Sequence, residues 1–437
     1  MKAIGAQAGL DLRVATYPGV ISTHERDKIV TNIESVLVDQ IVRHLTAHEE
    51  TSQAVTRSAL PAERDIVFKG TFEEVNTHFY EQGWSDGLPV VPPSLDKVEA
   101  FLRFTDRKPD EVLGVMHPSQ AQATIWNIAV NGVMAGCRPE YMPILVAIVE
   151  VMADPDYGLK HGGSTPGWEA MIILNGPIRN QLGFDCGQGL LRPGNQANTS
   201  IGRFYRLFAR NVPRFLPGTT DMATFGQMFR AVVVENEEAC AEFGWPPLHV
   251  TRGFDAGDSV VTITSVRTGS DPLTSAGELA ERHLELIVDW VNRMMEPYQS
   301  SRGYVESNVL MLTPVIAGLL ARAGYARRDL SDYIRKHARV TARYYEWHMM
   351  LGDHHPPNTT LAGLVQQGLL PKEWHLSDDP ERLVPLLLPE SEWLIVVAGD
   401  PLRNRSIVWR HNFKQGYATS KKIELPRNWD ALPAASR

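Results

Sequence analysis

Chemistry needs polar side chains held on rigid turns, and several stretches of this chain offer them. In Trp84-Ser85-Asp86-Gly87-Leu88-Pro89 the Asp-Gly pair supplies a turn with glycine at positive φ, and the prolines that follow keep the exit extended. That presents Asp86 as a general base or acceptor with Ser85 beside it; a structural turn anchored by Trp84 fits the same residues. Asn195, Asn198, Thr199 and Ser200 precede an apolar face of Ile201, Phe204 and Phe208, so they mark a helix N-terminus. Free N–H groups and the positive dipole end favour an anion there, and Arg203, one turn in, can fork onto a carboxylate or phosphate. Plain N-capping by Asn198 or Ser200, worth about 1 kcal/mol, explains part of the same stretch.

Asn175-Gly176-Pro177 follows an apolar strand, where α/β proteins place ligand loops. His161-Gly162-Gly163-Ser164-Thr165-Pro166-Gly167 precedes that strand, and Ser164 or Thr165 can donate to an oxyanion. A turn and a mobile loop are the alternatives. Glu235, Glu237 and Glu238 close another apolar strand; paired carboxylates serve as acid and base or hold a hard metal, although a solvated acidic turn is the commoner outcome. Cys137 stands beside Arg138 and the start of a Pro139 helix, surroundings that suit a nucleophilic thiolate, whereas isolated cysteines are mostly packing residues. Cys186 lies in a glycine-rich loop. Asn131, in Asn131-Gly132-Val133-Met134-Ala135-Gly136, joins Asp86, Thr165 and Asn175 as a residue expected around the reacting atoms. Glu346, His348, Asp353, His354 and His355 cluster, but the i,i+2 spacing of the first two splits them between sides of a helix, so a metal is weakly supported. Arg335, Arg339 and Arg343 form a basic stripe suited to an acidic surface or partner chain. No nucleotide or flavin motif occurs: GxSxG, P-loop, HExxH and a strand-following GxGxxG are all missing.

The run Gly83-Trp84-Ser85-Asp86-Gly87-Leu88-Pro89-Val90-Val91-Pro92-Pro93, with Asn131–Glu140, Asn175-Gly176-Pro177-Ile178 and Gly194–Arg203, resembles an uncharacterised bacterial family that accompanies, or is fused to, domains with a UGSC or CGSC motif, U being selenocysteine. The resemblance spans roughly residues 68–238 and, more weakly, the region to 400. Residues 4–48 resemble the tail of the UGSC-type domain, and the motif itself is missing here. Pro314-Val315-Ile316-Ala317 stands where the family has Pro-Glu-His-Ala, and Ala398-Gly399-Asp400-Pro401 replaces a Gly-Gly-rich loop. The resemblance implies a thiol or selenol supplied by a UGSC-type partner subunit.

The elements that must hold these turns are legible in outline. With 437 residues and 43% hydrophobic content the chain fills two or three units. The spacing predicts a βα fragment and linker over 1–66, a main α/β domain over 67–271 and a helix-rich α/β unit over 272–437. Strands are expected at 10–16, 170–174, 231–234, 259–264, 308–312 and 393–397, in a mixed sheet with interleaved helices. Capping-box spacings at Ser22/Glu25 and Ser275/Glu278 predict two helix starts, and one helix is expected from Asp329 to Trp347, burying His337 and Tyr344. No internal repeat is found. Ile29, Ile33, Leu37, Ile41 and Leu45 form an apolar helix face that a short fragment cannot bury, which predicts a homo-oligomer or a UGSC-type partner. A net charge of −8 argues against nucleic acid, no apolar run suits a membrane span, and three scattered cysteines with no signal segment point to a reducing, cytoplasmic setting. The expected function is an enzyme acting on a small polar, anionic substrate held by Asn195, Asn198 and Arg203, with thiol or selenol chemistry from a partner. A self-contained carboxylate- or metal-assisted lyase or hydrolase using Asp86 and the Glu235/Glu237 pair, and a non-catalytic subunit, are the alternatives.

Overall fold

A computed structural model describes residues 5, 12–47, 64–227, 232–352, 355–356, 358–412 and 416–432. It is an α/β protein with a mixed sheet. In chain order its strands are β1 (Val112–Met116), β2 (Ala121–Thr124), β3 (Glu169–Asn175), β4 (Val232–Val234), β5 (Val260–Gly269), β6 (Leu273–Thr274), β7 (Ser307–Leu312), β8 (Arg339–Thr341), β9 (Leu383–Pro385), β10 (Glu392–Val397), β11 (Arg405–His411) and β12 (Thr419–Lys422). β1–β2 and β8–β9 are separate antiparallel pairs. The main sheet runs β10-β7-β11-β5-β3-β4, with β12 and β6 pairing onto β5 and β11. β3 and β4 are parallel, as are β7 and β10, and the other pairings are antiparallel. Strands from both sides of residue 271 thus share one sheet.

Period-2 alternation explains how the sheet packs. One face carries Met171 and Ile173 of β3, Val233 of β4, Val309 and Met311 of β7, and Leu394 and Val396 of β10 in a single apolar cluster. The opposite face is divided. In the first half, Ala170, Ile172, Leu174, Val261 and Ile263 pack under the Ile125–Ala135, Met142–Ala153 and Gln196–Asn211 helices. In the second, Leu310, Leu312, Ile395 and Val397 pack under the Ala280–Met294, Pro314–Arg322 and Arg327–His337 helices. The sheet curls until its two edge strands meet: Asn236 N–H, just past β4, donates to Val397 O of β10 at 2.7 Å.

Several local expectations are corrected. Residues 12–16 are extended chain, not a strand; the Thr16 N–H and carbonyl are bound by the Gln40 side chain instead of a neighbouring strand. The following helix begins at Arg26, has a π-helical stretch at Ile33–Leu37, and ends at Thr46. None of its residues is buried, and Leu45 is 80% exposed. The second expected capping box does not form either. The Ala280–Met294 helix starts later, and the Ser275 hydroxyl instead bonds the buried His283 ring at 2.6 Å. Capping boxes occur at Thr71/Glu74 and Thr124/Asn127. The helix expected from Asp329 to Trp347 is broken by β8, which pairs with β9, so His337 and Tyr344 are exposed. Residue 231 lies outside the described residues.

Candidate functional site

The C-terminal ends of the parallel pair β3 and β4 place three of the expected residues together. Asn175 ends β3, and Gly176 and Pro177 turn the chain away. Gly176 has φ +92°, and a Cβ there would collide with the Asp258 carbonyl, so only glycine lets the two backbones approach this closely. Beyond β4, Glu235 turns inward and Glu237 opens the short Glu237–Glu242 helix.

Glu235 is fully buried, and its carboxylate is hydrogen-bonded throughout. Oε2 accepts from Asn175 Nδ2 at 2.8 Å and Leu248 N at 2.6 Å; Oε1 accepts from Val397 N at 3.2 Å and pairs with Arg327 Nη2 at 2.8 Å. Arg327 in turn donates to Pro246 O, Ile395 O and Cys240 Sγ. A buried ion pair satisfied on all sides supports a site rather than reacting in it. Among the described residues, Glu237 is held on one oxygen only. Its Oε1 accepts from Gly176 N at 2.7 Å and Asn175 Nδ2 at 3.0 Å, with Arg179 Nε at 3.6 Å and His249 Nδ1 at 3.9 Å. Arg179 forks onto Glu238, and this guanidinium holds the Glu238 carboxyl down at about 2.

Around Glu237, buried polar atoms lack hydrogen bonds: Asn175 Oδ1, Arg179 Nε and both ring nitrogens of His249. Asn175 and His249 are 0% exposed. Leaving such a group unsatisfied costs roughly 1–3 kcal/mol, so this concentration marks a place where water or a ligand completes the set.

The other expected residues fall into two further places. Asp86 meets Arg203 in a two-point pair, Nε–Oδ2 3.1 Å and Nη2–Oδ1 2.9 Å, and Arg203 Nη2 also donates to Pro89 O at 2.9 Å. The fork expected to grip a substrate thus already grips Asp86. Asn195 caps the Gln196–Asn211 helix through the Asn198 N–H. The Asn198 side chain itself binds main chain at Asp185 and Val232. Ser85 Oγ closes its own turn by accepting from Gly87 N and donating to Leu88 O. Asn131 is tied to Asn127 O and the Asn211 amide. Ser200 is buried, with its hydroxyl beside the Cys137 thiol. Nearby, burial pushes the Cys137 thiol up to about 12, eased only in part by Ser200 and Arg203, so it stays protonated at neutral pH. That environment is the reverse of the activating one expected.

Ser164 and Thr165 lie elsewhere. Their loop precedes β3 while Asn175 ends it, and seven residues of strand at about 3.3 Å each hold the two apart. Thr165 is exposed and its carbonyl accepts from Thr224 N; Ser164 Oγ is buried without a partner. Thr165 and Asn175, both expected around the reacting atoms, thus stand a strand's length apart.

Two members of the Glu237 group escaped the sequence reading. Arg179 sits two residues past Pro177 in a loop already singled out, and a lone cation there was a usable signal. His249, in Trp245-Pro246-Pro247-Leu248-His249, has no spacing that ties it to Asn175. Of the C-terminal acidic and histidine residues, Asp353 and His354 lie outside the described residues, Glu346 accepts from Leu361 N, and His355 bonds Ser301. Among the described residues no group of three His, Cys, Asp or Glu could hold a metal, and no helix is long and apolar enough to cross a membrane. No protein family, curated protein or solved structure matches this chain.

Proposed function

We propose that this protein is an enzyme that carries out acid–base chemistry on a small polar substrate at Asn175, Glu237 and His249. The observation that carries this reading is the set of buried atoms on Asn175, Arg179 and His249 that make no hydrogen bond among the described residues, around a carboxylate anchored by one oxygen. Glu237 takes a proton from substrate or water through Oε2, while Oε1 stays fixed by the Gly176 N–H. His249, whose Nδ1 stands 3.9 Å from Glu237 Oε1, exchanges a proton beside it, and the Asn175 Oδ1 accepts a hydrogen bond that orients the substrate. Glu235, neutralised by Arg327, positions Asn175 and does not react. A lyase or hydrolase step needs no more from the chain than these proton transfers.

The test is conversion of a small-metabolite mixture by purified protein, followed by mass spectrometry. Glu237→Gln and His249→Gln should each lower the turnover of whatever is consumed by about 100-fold or more, as loss of a general acid or base does. Conversion that survives both substitutions would overturn the assignment.

A second reading keeps the thiol or selenol chemistry expected from the family resemblance. Burial raises Cys137, Cys186 and Cys240 alike, so an attacking thiolate would come from another polypeptide. The unburied Arg26–Thr46 helix gives such a subunit a place to bind. Mixing with a CGSC-motif protein and following co-elution tests it, and independent elution counts against it.

A further inference from the structure

A repeated topology underlies the sheet. β3 leads into a turn containing Pro177, β4 pairs parallel to it, and β5 pairs antiparallel on its other side. β7, with Pro314 after it, β10 and β11 repeat this order and these directions. The two third strands, β5 and β11, pair antiparallel with each other, the relation that a two-fold axis between them requires. Hydrogen bonds fix the correspondence. Glu235 N–H donates to Leu174 O at 3.2 Å, and Ala398 N–H donates to Leu312 O at 2.9 Å. Thr313 thus occupies in the second half the place of Asn175, and Ala398, Gly399 and Asp400 the places of Glu235, Asn236 and Glu237. The sequence shows no such repeat because these matched positions share almost no side-chain chemistry.

In the second half the matched positions line an open cleft of about 300 Å³. Its floor is apolar, with Leu190, Met311 and Ile407. Its charged lining is mainly cationic, with Arg192, Arg403 and Arg405 against one carboxylate, Asp400. Arg403 Nε stands 3.7 Å from Asp400 Oδ2, while among the described residues Arg192 and Arg405 pair with no carboxylate. Among the described residues Arg405 Nη1 reaches only Asn404, its carbonyl at 3.4 Å and its Oδ1 at 3.5 Å, both long. Thr313 precedes the nine-residue Pro314–Arg322 helix, whose positive dipole end adds to the field. In a chain of net charge −8, this focuses positive potential on one small concavity.

We propose that this cleft binds a small organic anion, a carboxylate or phosphate group on a compact apolar body. The guanidiniums fork onto the anionic group and the Leu190–Met311–Ile407 floor takes the body. The inference goes beyond the acid–base reading of Glu237 and stands on the cleft and the repeat alone.

Calorimetric titration of the full chain with hexanoate, hexyl phosphate and inorganic phosphate tests it. Saturable binding of hexanoate or hexyl phosphate is expected, and the tighter of the two identifies the anionic group. Arg405→Gln and Arg192→Gln should each weaken it about tenfold, the worth of one charge-assisted hydrogen bond. Ala398→Leu, which fills the cleft, should abolish it, and thermal melts confirm that each variant folds. Glu237→Gln should leave binding unchanged, so the two sites fail or stand separately. Three results would overturn the proposal: no saturable binding of either organic probe, binding indifferent to both arginine substitutions, or inorganic phosphate binding as tightly as hexyl phosphate.

Discussion

Residues in the Glu237 group differ in what their removal should do, because some are satisfied and some are not. Glu235→Ala strands the Arg327 guanidinium in the interior and should cost roughly 3–5 kcal/mol, seen as a large fall in melting temperature. His249→Leu removes two unpartnered nitrogens from a fully buried position and should leave stability equal or slightly higher; a substantial fall in the melt would show that those nitrogens are satisfied. Arg203→Lys keeps the charge and loses the planar fork. With Arg203 forked onto Asp86, it should lower stability by roughly 1–3 kcal/mol, measurable by denaturant titration. Glu306 gives a pH dependence. Burial pushes its carboxyl up to about 7 despite the nearby Arg410, against an ordinary 4.5. The folded chain therefore keeps a proton that the unfolded chain has released, and stability falls as pH rises from about 4.5 through about 7. Glu306→Gln should melt higher than the parent at pH 8, by on the order of 2–3 kcal/mol, and the gain should vanish near pH 4. Residue types were readable where the fold uses them locally. Asn175, Glu235 and Glu237 were found because they close apolar strands, whereas Arg203 was misjudged because its partner lies 117 positions away.

Elements were legible in proportion to how local their causes are. β3, β7 and β10 announce themselves as apolar runs bounded by turn residues, and the Met142–Ala153 helix, apolar nearly all round, is buried as its composition implies. The break in the expected 329–347 helix was not legible, because it comes from β9, more than forty residues downstream, pairing with Arg339–Thr341. Ser275 shows why a capping spacing can mislead: the hydroxyl finds a better partner in a buried imidazole one helix turn into the core. Helix crossing gives a prediction of its own. Gly132 lets the Ile125–Ala135 helix lie close to its neighbours, since a Cβ there would stand 2.7 Å from both Leu145 Cδ1 and Phe101 Cε1. Gly132→Ala should cost about 1–3 kcal/mol through overpacking, despite alanine's better helix propensity. A melt unchanged or raised would mean that the two side chains move aside freely.

For the whole molecule, the Arg26–Thr46 helix is a part that the described residues do not bury. Ile41→Glu combined with Leu45→Glu should leave the melting temperature nearly unchanged, because Ile41 is 42% and Leu45 80% exposed. If the helix joins two copies or a partner subunit, sedimentation should show the assembly dissociating. A parent protein that sediments as a monomer would remove that role. One further consequence follows from the meeting of β4 and β10. Their junction is stitched partly by a side chain, since the Val397 amide gives its proton to the Glu235 carboxylate and not to a strand carbonyl. A seam of that kind can be unpicked without unfolding either strand. The exchange rate of the Val397 amide should then report on whether the seam is closed, and a chain whose seam stands open would present two raw strand edges to its neighbours. Slow fibril or aggregate growth, appearing in Glu235 variants well below their melting temperature, is the mark such an opening would leave.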